Sequence, residues 1–328
     1  MKHITLTIAL LVASIGFAAG HAAAAQPPGL PTGPIKIVVG FTAGGAADMV
    51  ARTYAEHLRA EGLDQIVVDN RAGASSRIAV ESVQNAPPDG LTLLLGQGPI
   101  FTIYPSLYKH LGFEPTKGLL PVASLVDIPT ALVAAKDRPY SNMRDYVAWT
   151  KKNPKEANVG LAALGTSGHL GTIALGKELG VDIAPVVYKG SAPMLIDVSS
   201  GLVSIGWDAA ASMLPLYKAG KIKFLAISGT QRQASLPEVP TAKEQGFGQF
   251  DHATSFYSIY VPTGTPQSTI DALQAAFLGA SKNRALVDRL QNAGLVMAPL
   301  PANELSNRIA IERSFWEPIV KSSGIALE

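Results

Sequence analysis

The chain has no cysteine in 328 residues. That absence excludes disulfides, thiol catalysis, a cysteine-based zinc site and a lipid tether on an N-terminal cysteine. Charge is sparse too: Asp, Glu, Lys and Arg make up 16% of the residues, and the formal net charge is +2. No basic run accompanies that balance, so no nucleic-acid partner is expected. Nucleotide signatures are missing. No Gly-x-Gly-x-x-Gly opens the first helical segment, and no Gly-x-x-x-x-Gly-Lys-Ser/Thr occurs. There is no Gly-x-Ser-x-Gly elbow, and the six histidines are scattered. Neither a cofactor nor a metal is therefore expected. Beyond the N-terminus, no run is long and apolar enough to span a bilayer.

What is present is a large apolar fraction, 47%, in a chain of a length at which one core usually gives way to two. Met1-Lys2-His3, the apolar run Ile4 to Ala19 and the small residues Gly20 to Ala25 read as a signal peptide over residues 1–25, with a membrane anchor as the alternative. The mature product is expected to be soluble, exported to the periplasm, and a monomer.

The organising stretch is Ile35 to Leu58. A β-branched run, Ile35 to Val39, predicts a buried strand. It enters Gly40-Phe41-Thr42-Ala43-Gly44-Gly45, and a helix follows from about Ala46. Unpaired N–H groups at such a helix start suit a carboxylate or phosphate. Asp48, in the first helical turn, either pairs with Arg52 four residues on or faces a ligand. The strand–helix alternation continues through strands at 65–69 and 91–95, which implies parallel sheets with right-handed crossovers. Strands are also expected at 121–126, 131–135, 158–160, 184–188, 203–207, 223–227 and 255–261. The C-terminal part is expected to be helical, at 266–278, 282–293 and 302–315.

A second loop, Leu161 to Gly168, feeds a helix from Ser167. Thr42, Thr166 and Ser167 would add hydroxyl donors. His169, in the first turns of that helix, is either a packing and orienting residue or a ligand contact. Phe41 and Trp207 are core residues or cleft walls, and Arg71 binds an anion or pairs with Asp69.

Segments spread through the chain resemble the periplasmic solute-binding proteins of tripartite tricarboxylate transporters, the TctC or Bug family. They include Phe41-x-x-Gly44-Gly45-x-x-Asp48, Val67-Val68-Asp69-Asn70-Arg71, Pro88-Asp89-Gly90, Gly165-Thr166-Ser167-x-His169 and Tyr188-Lys189-Gly190. The series ends with Leu236-Pro237-Glu238-Val239-Pro240 and Val261-Pro262-x-Gly264-Thr265-Pro266. There are departures. Gly40 stands where the family often has Pro, Ser75-Ser76 replaces a Gly-Gly, and Trp207 precedes the pocket aspartate, Asp208, in place of Phe.

The resemblance implies an α/β fold of two lobes, a type II periplasmic-binding-protein fold with a mostly parallel sheet in each lobe. Domain I would hold 26–127 and 251–328, and domain II 128–250. It implies that a small organic carboxylate is held between the lobes and delivered to a membrane permease of a tripartite tricarboxylate transporter. The implied contacts are Phe41, Thr42, Ala43, Gly44, Gly45, Asp48, Gly165, Thr166, Ser167, His169 and Asp208, with no catalytic residue. A periplasmic sensor component is the alternative function, and a hydrolase using a serine with His169 a remote one.

Overall fold

The computed structural model describes residues 29–63, 65–115, 117–162, 165–188 and 190–328. The expected signal peptide, residues 1–25, and Lys189 lie outside the described residues.

The first strand, β1 (Ile35–Val39), is buried along almost its whole length, as a β-branched run between two parallel neighbours should be. Helix α1 (Ala46–Ala60) buries Ala47, Val50, Ala51, Tyr54 and Leu58, its helically spaced apolar stripe. It stops at Gly62, whose φ of 97° turns the chain back. Then come β2 (Ile66–Asn70), α2 (Arg77–Gln84), β3 (Thr92–Gln97), the short helices α3 (Gly98–Thr102) and α4 (Tyr104–Leu107), and β4 (Leu119–Ile128). The chain after β3 thus turns through two short helical pieces, α4 beginning at Tyr104-Pro105.

A single residue, Pro129, separates β4 from β5 (Thr130–Ala135), where the second sheet begins. Its elements are α5 (Met143–Lys152), β6 (Asn158–Leu161), α6 (Ser167–Leu179), β7 (Ala184–Val187), α7 (Ser191–Ser200), β8 (Ile205–Ala209), α8 (Ala210–Lys218) and β9 (Ile222–Ile227). The chain returns to the first sheet as β10 (Ser255–Pro262). It ends with α9 (Gln267–Ala280), α10 (Arg284–Asn292), β11 (Val296–Pro301) and α11 (Ala302–Ser323).

The strand orders are β2-β1-β3-β10-β4-β11 and β7-β6-β8-β5-β9. In the first sheet β1 to β4 run one way and β10 and β11 the other; in the second only β5 is reversed. Most strands in each sheet are thus parallel, as expected. The reversed central strand sits at the same place in both orders, and in each case it is the strand that arrives from the other sheet.

β11 was not expected as a strand. Its two prolines, Pro299 and Pro301, argue against a central position, but it pairs only with β4, at the edge, where a missing donor is tolerated.

The two sheets have separate cores, one around Ile37, Tyr54, Leu95 and Phe277, the other around Leu132, Tyr146 and Trp207. Tyr54 Oη and Ser281 Oγ lie 2.7 Å apart and fasten α1 to the end of α9. The crossing segments are tied to each other, and the lobes also touch beside them. At the crossing, the Thr130 and Ser228 backbones and the Ser228 hydroxyl interlock, with Thr130 N donating to Ser228 Oγ at 2.9 Å and Ser228 N to Thr130 O at 2.8 Å. Beside it, α11 lays Trp316 and Val320 against Leu170 of α6. Trp316 is almost wholly buried, and truncating such a side chain costs ~3–5 kcal/mol.

Candidate functional site

The carboxyl ends of β1, β3, β6 and β8 converge between the lobes, the place where open α/β sheets put their binding loops. There they enclose a cavity of about 270 Å³. Lobe I contributes Phe41, Ser75, Gln97, Pro99 and Tyr104. Lobe II contributes Ala162, Gly165, Thr166, Ser167, Gly168, Trp207 and Asp208, and Ile128, Thr130 and Ser255 come from the crossing. Among the described residues three larger concavities lie elsewhere, behind the crossing (about 400 Å³), beside His57 and Ala276 (about 560 Å³) and between Gln84, Tyr108 and Arg313 (about 660 Å³). Among these, the cleft is the one that joins both lobes to the amino end of a long helix.

That end belongs to α6. Thr166 is its N-cap, and its Oγ1 accepts the His169 N–H at 3.2 Å. Ser167 and Gly168 therefore present N–H groups ahead of the first intrahelical bond, Leu170 N to Thr166 O. Both line the cavity, with the Ser167 hydroxyl beside them. Aligned peptide dipoles add partial positive charge, so the spot favours an anion without a fixed cation.

His169 is buried behind this loop, 2% exposed. Its Nδ1 accepts the Gly165 N–H at 3.2 Å, and burial holds its pKa below the usual 6.5, so the ring is neutral. It does not line the cavity. Among the described residues the hydrogen bond to the ring comes from the Gly165 backbone.

The β1–α1 loop is divided. Phe41 lines the cavity and meets Tyr257 edge-on, with centroids 6.5 Å apart. Thr42, Ala43, Gly44 and Gly45 are exposed and outside the lining. Of the two readings of Asp48, the structure displays the ion pair. Arg52 Nε donates to both carboxylate oxygens, at 3.0 and 2.9 Å, and Gly44 N donates to Oδ2 at 2.9 Å. The hydrogen bond from Arg52 is the main cause holding the Asp48 carboxyl below its usual range. Arg52 continues to Asn70 Oδ1, and Asn70 Nδ2 donates to Phe41 O at 3.1 Å. Asp48 thus anchors the loop from behind. It also occupies the Gly44 N–H, one of the donors expected to face an anion.

Across the cleft, Asp208, the penultimate residue of β8, is half-buried. Its Oδ2 accepts the hydroxyls of Ser191 and, at 3.1 Å, Ser212. Trp207 shows both of its expected characters. It lines the cavity, but its indole is 3% exposed, stacks on Phe250 at 4.4 Å and donates Nε1–H to Thr130 Oγ1 at 3.0 Å. Arg71 pairs with Asp69 at 2.9 Å, away from the cleft.

The far wall, Ser75, Gln97 and Tyr104, was not singled out from the sequence. The only hint was the departure at Ser75-Ser76. Ala74, Ser75 and Ser76 have φ values of 44°, 54° and 70°, three consecutive non-glycine residues in the left-handed region. Each such residue costs roughly 1–2 kcal/mol. Ser76 Oγ donates to Gly40 O at 3.0 Å, and a Cβ on Gly40 would lie 2.4 Å from the Ser76 Cβ. Two departures from the family pattern, at 40 and 76, are therefore one contact. The Ser75 hydroxyl lies against the Tyr104 phenol, whose pKa burial pushes up to about 12.

Two lobes joined by crossing strands, with an anion-ready helix start facing the cleft, define a solute-binding protein of the periplasmic-binding-protein type. The matching family model is that of the tripartite tricarboxylate transporter family receptor, over residues 50–325. The chain belongs to that family. Solved structures agree. Periplasmic binding protein BugD is 29% identical with a TM-score of 0.73, covering 91% of this chain and 100% of its own. Rpa4515 of R. palustris, solved with adipate, is 31% identical with a TM-score of 0.77, covering 90% and 99%. MatC from Rhodopseudomonas palustris, solved with bound malate, is 28% identical with a TM-score of 0.72, covering 89% and 100%.

Proposed function

We propose that this protein captures a small carboxylate-bearing metabolite between its lobes in the periplasm and delivers it to the permease of a tripartite tricarboxylate transporter, without chemical turnover. The observation that carries the reading is the α6 amino end. Ser167 and Gly168 bring N–H groups and a hydroxyl to a cleft shared by both lobes. Charge-assisted hydrogen bonds of this kind are the strong ones. The carboxylates in two related structures support it, and the N-terminal sequence supports export.

In this reading Gly165, Thr166, Ser167, Phe41 and Asp208 contact the ligand. Thr42, Ala43, Gly44 and Gly45 reach it when the lobes close, and Asp48 and His169 hold the two loops in shape. The division into domain I, 26–127 with 251–328, and domain II, 128–250, follows the change of sheet between Ile128 and Thr130 and between Ile227 and Ser255. Closure turns about Thr130 and Ser228, and ligand contacts to both lobes favour it.

The test is calorimetry and thermal shift with three- to six-carbon acids. At least one should bind and raise the melting temperature, and Ser167→Trp should abolish binding with unchanged circular dichroism. If no small carboxylate binds, or a bound one is chemically converted at a catalytic rate, the reading is wrong.

A further inference from the structure

The carboxylate seat leaves the far wall of the cleft without a role, and that wall holds the most strained backbone in the described chain. Residues in sparsely populated φ/ψ regions persist where the surroundings over-determine them, and such strain gathers at ligand contacts. Here the surroundings are identifiable. Ser76 Oγ is fixed to Gly40 O, Ser76 N donates to Gly73 O at 2.9 Å, and Arg77 is tied to His110 O at 2.9 Å. The turn is clamped on both sides, and the residue between the clamps, Ser75, lines the cavity.

We propose that the left-handed turn Ala74–Ser76 delivers the Ser75 hydroxyl to the ligand, and that Ser75, Gln97 and Tyr104 form a lobe I subsite for a neutral hydroxyl or amide at the end of the ligand remote from its carboxylate. The chemistry of the wall sets that class. All three side chains are uncharged, and each both donates and accepts hydrogen bonds. Among the described lining residues the only formally charged one is Asp208, which opposes a second negative charge on the ligand. A pocket that hydrogen-bonds a polar substituent discriminates strongly against the analogue lacking it, because its own groups are then left unpaired. The inference rests on the carboxylate-binding reading above and adds the other half of the ligand.

The test uses four five-carbon acids that differ only at the far end: valerate, 5-hydroxyvalerate, glutaramate and glutarate. Each is titrated into the purified protein by calorimetry. The hydroxyl or amide acid should bind about tenfold more tightly than both valerate and glutarate, the effect of roughly one hydrogen bond. Ser75→Ala should erase that advantage, so that the hydroxyl and amide acids bind no more tightly than valerate. Ser75→Gly should erase it too and raise the melting temperature, because glycine adopts the positive φ freely. Glutarate binding tightest, or an advantage that survives Ser75→Ala, would overturn the subsite and leave the carboxylate reading intact. Failure of all four to bind while another three- to six-carbon acid binds would overturn the subsite alone, and failure of every three- to six-carbon acid would overturn both.

Discussion

Arg52 grips Asp48 through one nitrogen, Nε, which lies within 3.0 Å of both carboxylate oxygens. The pair holds the β1–α1 loop, because the same carboxylate takes the Gly44 N–H and the same guanidinium reaches Asn70, which holds Phe41. Asp48→Asn should weaken binding of any acid the wild type recognises about tenfold. The stability loss should be only about 1 kcal/mol, since the Arg52 side chain is half exposed and solvent screens the pair. The sign of the pH effect follows from a depressed carboxyl. The contribution is full above pH 3.8, the usual value, and is lost as pH falls through the lower folded value. Urea melts of both proteins at pH 6 and pH 3 check this: the difference should shrink at the lower pH.

His169 titrates in the other part of the pH range. Burial depresses its pKa, so the unfolded chain takes up a proton first. Its contribution is full above pH 6.5 and declines as pH falls from 6.5 to the folded value. His169→Leu leaves the Gly165 N–H without its acceptor, at a cost of ~1–3 kcal/mol. His169→Gln, which restores an acceptor, should recover part of it. Equal melting temperatures for wild type and His169→Leu would contradict the assignment.

Gly171 is glycine for a packing reason. A Cβ there would lie 2.4 Å from the Trp207 indole. Gly171→Ala should push the ring off Phe250 and cost ~1–3 kcal/mol, with a changed tryptophan emission spectrum as the local readout. An unchanged spectrum and melting temperature would show that the contact is soft.

Glu312 and Asp127 share one cation, Arg308, with Nε to Glu312 at 2.9 Å and Nη1 to Asp127 at 2.6 Å. Burial pushes Glu312 up to about 7 against the pull of Arg308. A raised carboxyl favours the folded state below its ordinary value of 4.5, and that advantage is lost as pH rises from 4.5 to about 7. Glu312→Gln should therefore stabilise the protein at pH 8 by roughly 1–3 kcal/mol and leave it nearly unchanged at pH 4. Differential scanning calorimetry at the two values decides it.

Much of the architecture was legible because it rests on local signals. The β-branched run of β1 and the stripe of α1 each name their element. What stayed hidden depended on distant partners. β11 is a strand only because β4 offers it an edge. α11 runs past Pro318 to Ser323, beyond the expected end at Phe315, and Trp316 and Val320 in that stretch are packed against Leu170. At the site, the α6 start was readable from Thr166-Ser167, whereas the roles of Asp48 and His169 turned on which backbone N–H lay beside them. The wall of Ser75, Gln97 and Tyr104 comes from three separate elements, and no spacing rule joins those.

The reversed strand in each sheet has a consequence for how the molecule is made. Sheet two is written in one uninterrupted stretch, from Thr130 to Ile227. Sheet one has a gap at its centre, between β3 and β4, until β10 is synthesised. Lobe II can close on itself while the chain is still growing, but lobe I waits for residues that follow lobe II. No single cut yields both lobes as separate gene fragments, and a truncation before Ser255 removes the middle of the sheet that begins the protein.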